Sequence, residues 1–102
     1  MEITGNLKYY DDTTKSLVQV WGKGNFIVLK LEADDWSIYD SVKAGLNPSM
    51  GSGLGDIKND PDHSIVCYIT NNITQEFVVE TVIDGVKSTR SWTLDLLNCD
   101  KE

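Results

Sequence analysis

The side chains of this 102-residue chain whose types could support catalysis lie close together, just before and within one apolar segment. His63 is the only histidine, and Cys67 follows it by four residues. A histidine and a cysteine are the base and the nucleophile of thiol hydrolases, but four residues of extended strand would separate them by about 13 Å. No third residue completes a triad. We therefore predict no catalytic residue and no enzymatic activity.

The acidic residues before His63 are the candidates for a metal site. Asp56, Asp60 and Asp62 carry carboxylates, and hard cations such as calcium bind several carboxylate and carbonyl oxygens. Their spacing and the intervening Pro61 match no EF-hand loop. The expected structure is a solvated acidic turn, with calcium as the alternative. No cofactor is predicted.

A glycine-rich segment precedes these acids and includes Gly51-Ser52-Gly53-Leu54-Gly55. It lacks both the Gly-Lys-Ser/Thr ending of a P-loop and the GxGxxG spacing of a dinucleotide site. Residues 47–63 contain three glycines and both prolines, which predicts a long loop rather than a central strand. We interpret this loop as a protein-binding segment, and its interface candidates are Ser49, Met50, Gly53 and Leu54.

Residues 76–97 predict a β-hairpin around which the fold is organised. Asp84-Gly85 suits a two-residue type I′ turn, which places Ile83 opposite Val86 and Phe77 opposite Trp92. The predicted apolar face consists of Phe77, Val79, Ile83, Val86, Trp92 and Leu94. Arg90 falls on the same face. It either lies at the sheet margin with its stem on an aromatic ring, or serves as the fifth interface candidate, facing a partner.

Further strands are predicted by alternating apolar residues. They cover residues 3–9, 16–21, 26–33 and 64–70, and the inward side chains of the last two are Ile27, Leu29, Leu31, Ile65, Cys67 and Ile69.

Residues 34–48 fit two structures. A strand would place Trp36, Ile38, Val42, Ala44 and Leu46 on one face, and a helix of two to three turns would begin at Asp34 or Asp35 and end at Gly45. The strand pattern places more of the apolar residues on one face than the helical pattern does. In total the sequence predicts one domain over residues 1–102, an antiparallel immunoglobulin-like β-sandwich of about seven strands, with at most one short helix near residues 34–45.

The charge of the chain limits its partners. Nine basic and sixteen acidic residues give a net charge of −7, which repels nucleic-acid phosphates and anionic membranes. The N-terminus does not resemble a signal peptide, and no apolar run approaches about 20 residues. We expect a chain that is cytoplasmic when synthesised, binds neither nucleic acid nor membrane directly, and keeps Cys67 and Cys99 unpaired.

The order of elements resembles a known family. Gly24-Asn25 precedes an apolar strand at residues 26–32, Asp35-Trp36 leads through Tyr39-Asp40-Ser41-Val42, and Leu46-Asn47-Pro48-Ser49 begins the long loop. A buried strand and a terminal hairpin of the form xxDGxxxTxxxxxL follow. Over residues 16–97 this pattern is similar to the immunoglobulin-like domains at the N-termini of bacteriophage baseplate and tail-adaptor proteins.

The resemblance implies a non-enzymatic virion component of a tail, baseplate, head decoration or ring. Its partners would be further copies of the chain or virion neighbours. Because no receptor-binding or coiled-coil segment follows the hairpin, a small adaptor or ring subunit is expected rather than a complete adhesion device. Two alternatives stay open. One is a small acidic inhibitor that imitates nucleic acid, and the other is a sugar-binding sandwich that uses Trp21, Trp36 or Tyr39.

Overall fold

A computed structural model of the chain describes residues 5–23, 26–47, 54–68 and 74–95. These residues form eight strands and one short 3-10 helix, Trp36–Ile38. The strands are β1 (Gly5–Asp11), β2 (Ser16–Lys23), β3 (Phe26–Glu32), β4 (Tyr39–Asn47), β5 (Gly55–Asp56), β6 (Ser64–Tyr68), β7 (Thr74–Ile83) and β8 (Val86–Asp95). In the described part of the chain, no helix is long and apolar enough to cross a membrane.

The strands form two antiparallel sheets of four strands each. Sheet A has the order β1-β2-β3-β6, and sheet B has the order β5-β4-β7-β8. The chain passes from one sheet to the other after β3, β5 and β6, and the two inner faces enclose the core. The predicted antiparallel β-sandwich is confirmed. In immunoglobulin-like sandwiches, strands B and E pair in one sheet, and the other sheet has the order C′-C-F-G. Here β3 pairs with β6 in sheet A, and sheet B has the corresponding order β5-β4-β7-β8.

The inner faces follow the alternation expected of strands that are buried on one side. Side chains of β2, β3, β4 and β7 that point inward are almost fully inaccessible to solvent, whereas their described sequence neighbours, except Gly45 and Val78, are partly or fully exposed. The largest fully buried side chains include Tyr39, Phe77, Ile27, Leu29, Leu31 and Ile57.

The β7–β8 hairpin has the predicted register. Ile83 lies opposite Val86 and Phe77 lies opposite Trp92, and the two rings stack with centroids 5.2 Å apart. Asp84 and Gly85 have φ angles of 51° and 76°, as a type I′ turn requires. Val86 lies on the predicted face, opposite Ile83, but it does not belong to the core. Val86 is 66% exposed because it lies next to the turn, at the margin of the sandwich.

Residues 34–48 combine features of both predicted structures. The carboxylate of Asp35 accepts the backbone N–H of Ser37 at 2.9 Å and caps the 3-10 helix, which is shorter than the helix considered from the sequence. The strand begins only at Tyr39, where its pairing with β7 shifts register. The shift reverses the expected orientation, so Ile38 is 40% exposed and Tyr39 is buried.

The predicted loop 47–63 is partly ordered into the sandwich. Gly55–Asp56 pairs with β4, and Ile57 is fully buried in the core. Residues 58–63 then form hydrogen-bonded turns, in which Asp60 N–H donates to the Ile57 carbonyl at 3.0 Å. The structure thus adds a two-residue edge strand and one core residue to the predicted loop, and in the described residues of this segment the strand is not a central one. Ser49, Met50 and Gly53 lie outside the described residues, and Leu54 is 37% exposed.

Candidate functional site

The outer face of sheet A carries an apolar row across three strands. Trp21, Val28 and Val66 are paired across β2, β3 and β6 and point away from the core, because their strand neighbours Val20 and Ile27 point inward. Trp21 and Val28 are half-buried, and Val66 is 55% exposed. An aromatic and two β-branched side chains therefore lie side by side on the surface.

Basic residues border this row. In the adjacent cross-strand row, exposed Lys8 and half-buried Lys30 lie on either side of Gln19. These two lysines face outward on a chain whose net charge is −7. The outer face of sheet A is thus apolar with a basic margin, which suits a partner surface that is apolar and acidic.

The outer face of sheet B has a different chemistry. Lys43, Glu80 and Thr89 form one cross-strand row, and Lys87 Nζ lies 3.2 Å from Glu80 Oε2. The apolar residues on this face are Val78, which is 7% exposed, and half-buried Val82, and each offers less surface than Val66 on the outer face of sheet A. Polar groups on this face are solvated, as usual for an antiparallel sheet with one face in water. The two outer faces are therefore not equivalent.

Arg90 joins the two sheets at one side of the sandwich. Its Nε lies 3.5 Å from Oδ1 of Asp11, which is 4% exposed, and its guanidinium carbon lies 5.9 Å from the centre of the Trp92 ring. Asp11 also accepts the Thr14 hydroxyl at 2.8 Å and the backbone N–H groups of Thr13 and Thr14 at 3.3 Å each. The Arg90 side chain is nevertheless 47% exposed, which leaves room for a partner contact.

Tyr39 makes a second connection between the sheets. Its hydroxyl donates to the Thr14 carbonyl at 2.5 Å, and the Lys15 carbonyl lies 2.9 Å away in the same turn. Lys58 Nζ donates to the Tyr39 carbonyl. Burial, together with the nearby Tyr10, Asp11 and Asp34, raises the pKa of Tyr39 to about 12. The phenol is a structural donor that stays protonated at neutral pH.

The residues with catalytic side chains are held in structural roles. The His63 ring stacks on Trp36 with centroids 3.9 Å apart, and its backbone carbonyl accepts the Leu31 N–H at 3.0 Å. Cys67 is a free thiol inside the core, and burial raises its pKa, with a smaller opposing effect of the Leu46 backbone. A nucleophilic cysteine needs the opposite shift, toward the thiolate. Cys67 is therefore not an activated thiol.

Two of the three calcium candidates, Asp56 and Asp60, accept hydrogen bonds from residues that are close to them in the sequence. Asp56 accepts the Asn59 amide at 2.8 Å, and this bond holds the pKa of Asp56 below its usual range. Asp60 accepts the backbone N–H groups of Asp62 at 2.9 Å and Ser64 at 3.4 Å. Within the described ranges, which include all three aspartates, no three His, Cys, Asp or Glu residues form a group that could hold a metal.

Of the three rings considered as a sugar platform, only Trp21 lies on an outer sheet face. Trp36 packs against the core and His63, and Tyr39 is 1% exposed. The sequence contained a signal for the apolar outer face that alternation alone did not reveal. Residues 26–29 and 65–67 are continuous apolar runs, a pattern typical of strands that are covered on both faces.

Compared with protein-family models, with curated proteins and with solved structures, the chain has no match.

Proposed function

We propose that this chain is a non-enzymatic structural or adaptor protein of the phage virion type, which acts as a subunit of a protein assembly. The observation that supports this function is the contrast between the two outer sheet faces. Trp21, Val28 and Val66 form an apolar row with lysines at its margin, whereas the outer face of sheet B is polar.

The continuous apolar runs in β3 and β6 support the same conclusion. On the solvated face of a strand, Val28 and Val66 gain only cross-strand contacts, and a protein neighbour would bury what is still exposed of them. Complete burial of a fully exposed valine contributes about 1.5 to 3 kcal/mol of transfer free energy, so Val66, which is 55% exposed, would contribute part of this and half-buried Val28 less. The neighbours that dock on this face would be further copies of the chain or adjacent virion proteins.

Light scattering of the purified chain at low and high salt tests this function. Salt does not screen apolar contacts, so association through the apolar row should persist at high salt. Interactions between exposed charges, by contrast, are screened beyond about 8 Å at physiological ionic strength. Val66→Glu should shift the mass distribution to smaller species, because it adds a charge to the apolar row. Lys43→Glu also introduces a glutamate, with a larger change of net charge, but on the outer face of sheet B, and it should have no effect. An unchanged distribution for Val66→Glu would contradict docking on sheet A.

A small acidic inhibitor is the second candidate, and one group of residues favours it. Asp34, Asp35, Asp40 and Asp84 are all exposed, and the Asp40 carboxylate accepts the Gly85 N–H at 2.9 Å, which joins β4 to the hairpin turn. The side-chain hydrogen bond from Ser37 holds the pKa of Asp35 below its usual range. A monomer at all concentrations that binds a basic nucleic-acid enzyme only at low salt would establish this function instead.

A further inference from the structure

β8 is the longest of the described edge strands, and although it carries Lys87 and the inward-facing Arg90, it is not short, has no bulge and contains no proline. On its other side, no described strand pairs with it. It pairs with β7 over ten consecutive residues without a bulge, and it contains no proline. By contrast, the opposite edge of sheet B is β5, which has two residues. Short strands, bulges and prolines normally protect edges from pairing with another chain.

The two-residue turn determines which backbone groups of β8 are open. The Ile83 carbonyl accepts the Val86 N–H across the turn, and hydrogen-bonded pairs then alternate along the hairpin. Ser88, Arg90 and Trp92 therefore bond to β7. The N–H and carbonyl groups of Lys87, Thr89, Ser91 and Thr93 point toward the open edge, and these four residues are exposed.

The sequence of this edge is complementary to itself when it is read in the antiparallel direction. If Ser91 pairs with Ser91 of a second copy, Thr89 lies opposite Thr93, and Lys87 lies opposite Asp95. Each pair consists of residues whose backbone groups are open, so the hydrogen-bonding pattern and the register agree. Threonine pairs and pairs of opposite charge are both favourable across antiparallel strands.

The inner face of the strand fits the same register. Arg90 lies opposite Trp92 of the second copy at a non-hydrogen-bonded position, where side chains approach closely. A guanidinium beside an indole is a favourable contact. A slip of two residues in one direction would place the two copies of Arg90 opposite each other, and this like-charge contact disfavours that pairing. A slip of two residues in either direction would also separate Lys87 from Asp95, so the register about Ser91 is the one that keeps both favourable contacts.

We propose that β8 pairs with β8 of a second copy in antiparallel orientation about Ser91, which joins the two copies of sheet B into one eight-stranded sheet. This inference rests on the proposed assembly function and adds the partner, the surface and the register. The contact is isologous, because the same strand is used by both copies. It leaves the outer face of sheet A open for the other neighbours of the assembly.

Analytical ultracentrifugation of paired charge variants tests the register. Lys87→Glu and Asp95→Lys each place like charges opposite each other twice per dimer, so each should raise the dimer dissociation constant about tenfold or more. Mixing the two variants restores opposite charges at both contacts and should restore dimerisation. The matched control Lys43→Glu should dimerise like the wild type. Circular dichroism verifies that each variant is folded.

A backbone test uses the same strand without a change of charge. Ser91→Pro removes an N–H that points to the open edge and costs no bond to β7, so it should abolish the dimer, whereas Ser91→Ala should preserve it. A monomeric wild type, or no recovery on mixing the charge variants, would overturn the β8 contact. Val66→Glu distinguishes the two proposals, because it should leave this dimer intact while it reduces the larger assemblies. Wild-type assemblies that form, but whose sizes are unchanged by the charge variants and by Ser91→Pro, would refute only this inference.

Discussion

At the residue scale, one buried side chain has an incompletely satisfied polar group. Thr81 is 0% exposed on the inner face of β7, and its hydroxyl is without a hydrogen-bond partner. A buried unpaired hydroxyl costs about 1 to 3 kcal/mol. Because valine has nearly the same shape, Thr81→Val should increase the free energy of unfolding by about 1 kcal/mol or more.

Urea denaturation with a common m-value measures this change. Thr89→Val is the matched control, because Thr89 is exposed on the outer face of the neighbouring strand and its hydroxyl is open to solvent. A decrease in stability for Thr81→Val would mean that the hydroxyl contributes a bond in solution.

The raised pKa of Tyr39 predicts a dependence of stability on pH. The folded state holds the phenolic proton more tightly than the unfolded state, where the pKa is near 10.0. The contribution of this proton is fully present below pH 10.0 and is lost as the pH rises to about 12. Tyr39→Phe should be less stable than the wild type at pH 8, and the difference between them should shrink above pH 10.

The urea midpoints of both proteins, measured across that pH range, test this prediction. The difference between the two proteins cancels the titration of all residues that they share. A difference that stays constant with pH would contradict the role of the Tyr39 proton. Tyr39 also illustrates the limit of sequence interpretation at this scale. Its burial depends on a register shift and on two carbonyls in a turn about 25 residues away, and local alternation contains neither.

At the element scale, the β7–β8 hairpin is held by the Phe77–Trp92 pair. Phe77 is 0% exposed, whereas Trp92 is only partly buried. Truncation of a fully buried large aromatic costs about 3 to 5 kcal/mol, so Trp92→Ala should cost less, about 2 to 3 kcal/mol. Phe77→Ala, on the opposite strand of the same pair, should be more destabilising. Denaturant unfolding of both variants gives the comparison, and the reverse order would place Trp92 deeper in the core than Phe77.

The register of the hairpin was predictable from the sequence, because an Asp-Gly turn fixes register through local geometry. The position of Ile57, by contrast, could not be predicted from the sequence. It lies between glycines, an asparagine and aspartates, where composition indicates a loop, yet it is fully buried. Gly55 explains part of this arrangement, since a Cβ at that position would lie 2.1 Å from Ile65 Cδ1 of the opposite sheet. A close approach between sheets leaves no periodic pattern in the sequence.

At the scale of the whole molecule, alternation predicted the sandwich and most of its core. It did not predict which strands form the edges of each sheet, because edges depend on the order of strands in space. The proposed contacts both depend on that order. β8 has an open side only because it is last in sheet B, and Val66 lies beside Val28 only because β6 pairs with β3.

The buried thiol of Cys67 offers a direct way to follow motion of the molecule. β6 is an edge strand held by β3 alone in sheet A, and its thiol is inaccessible while the strand stays paired. An alkylating reagent can therefore reach Cys67 only after β6 detaches or the whole sandwich unfolds. The labelling rate at increasing denaturant separates these two events, since local detachment exposes little surface and global unfolding exposes much. The labelling rate of Cys67 thus reports how often edge strand β6 opens.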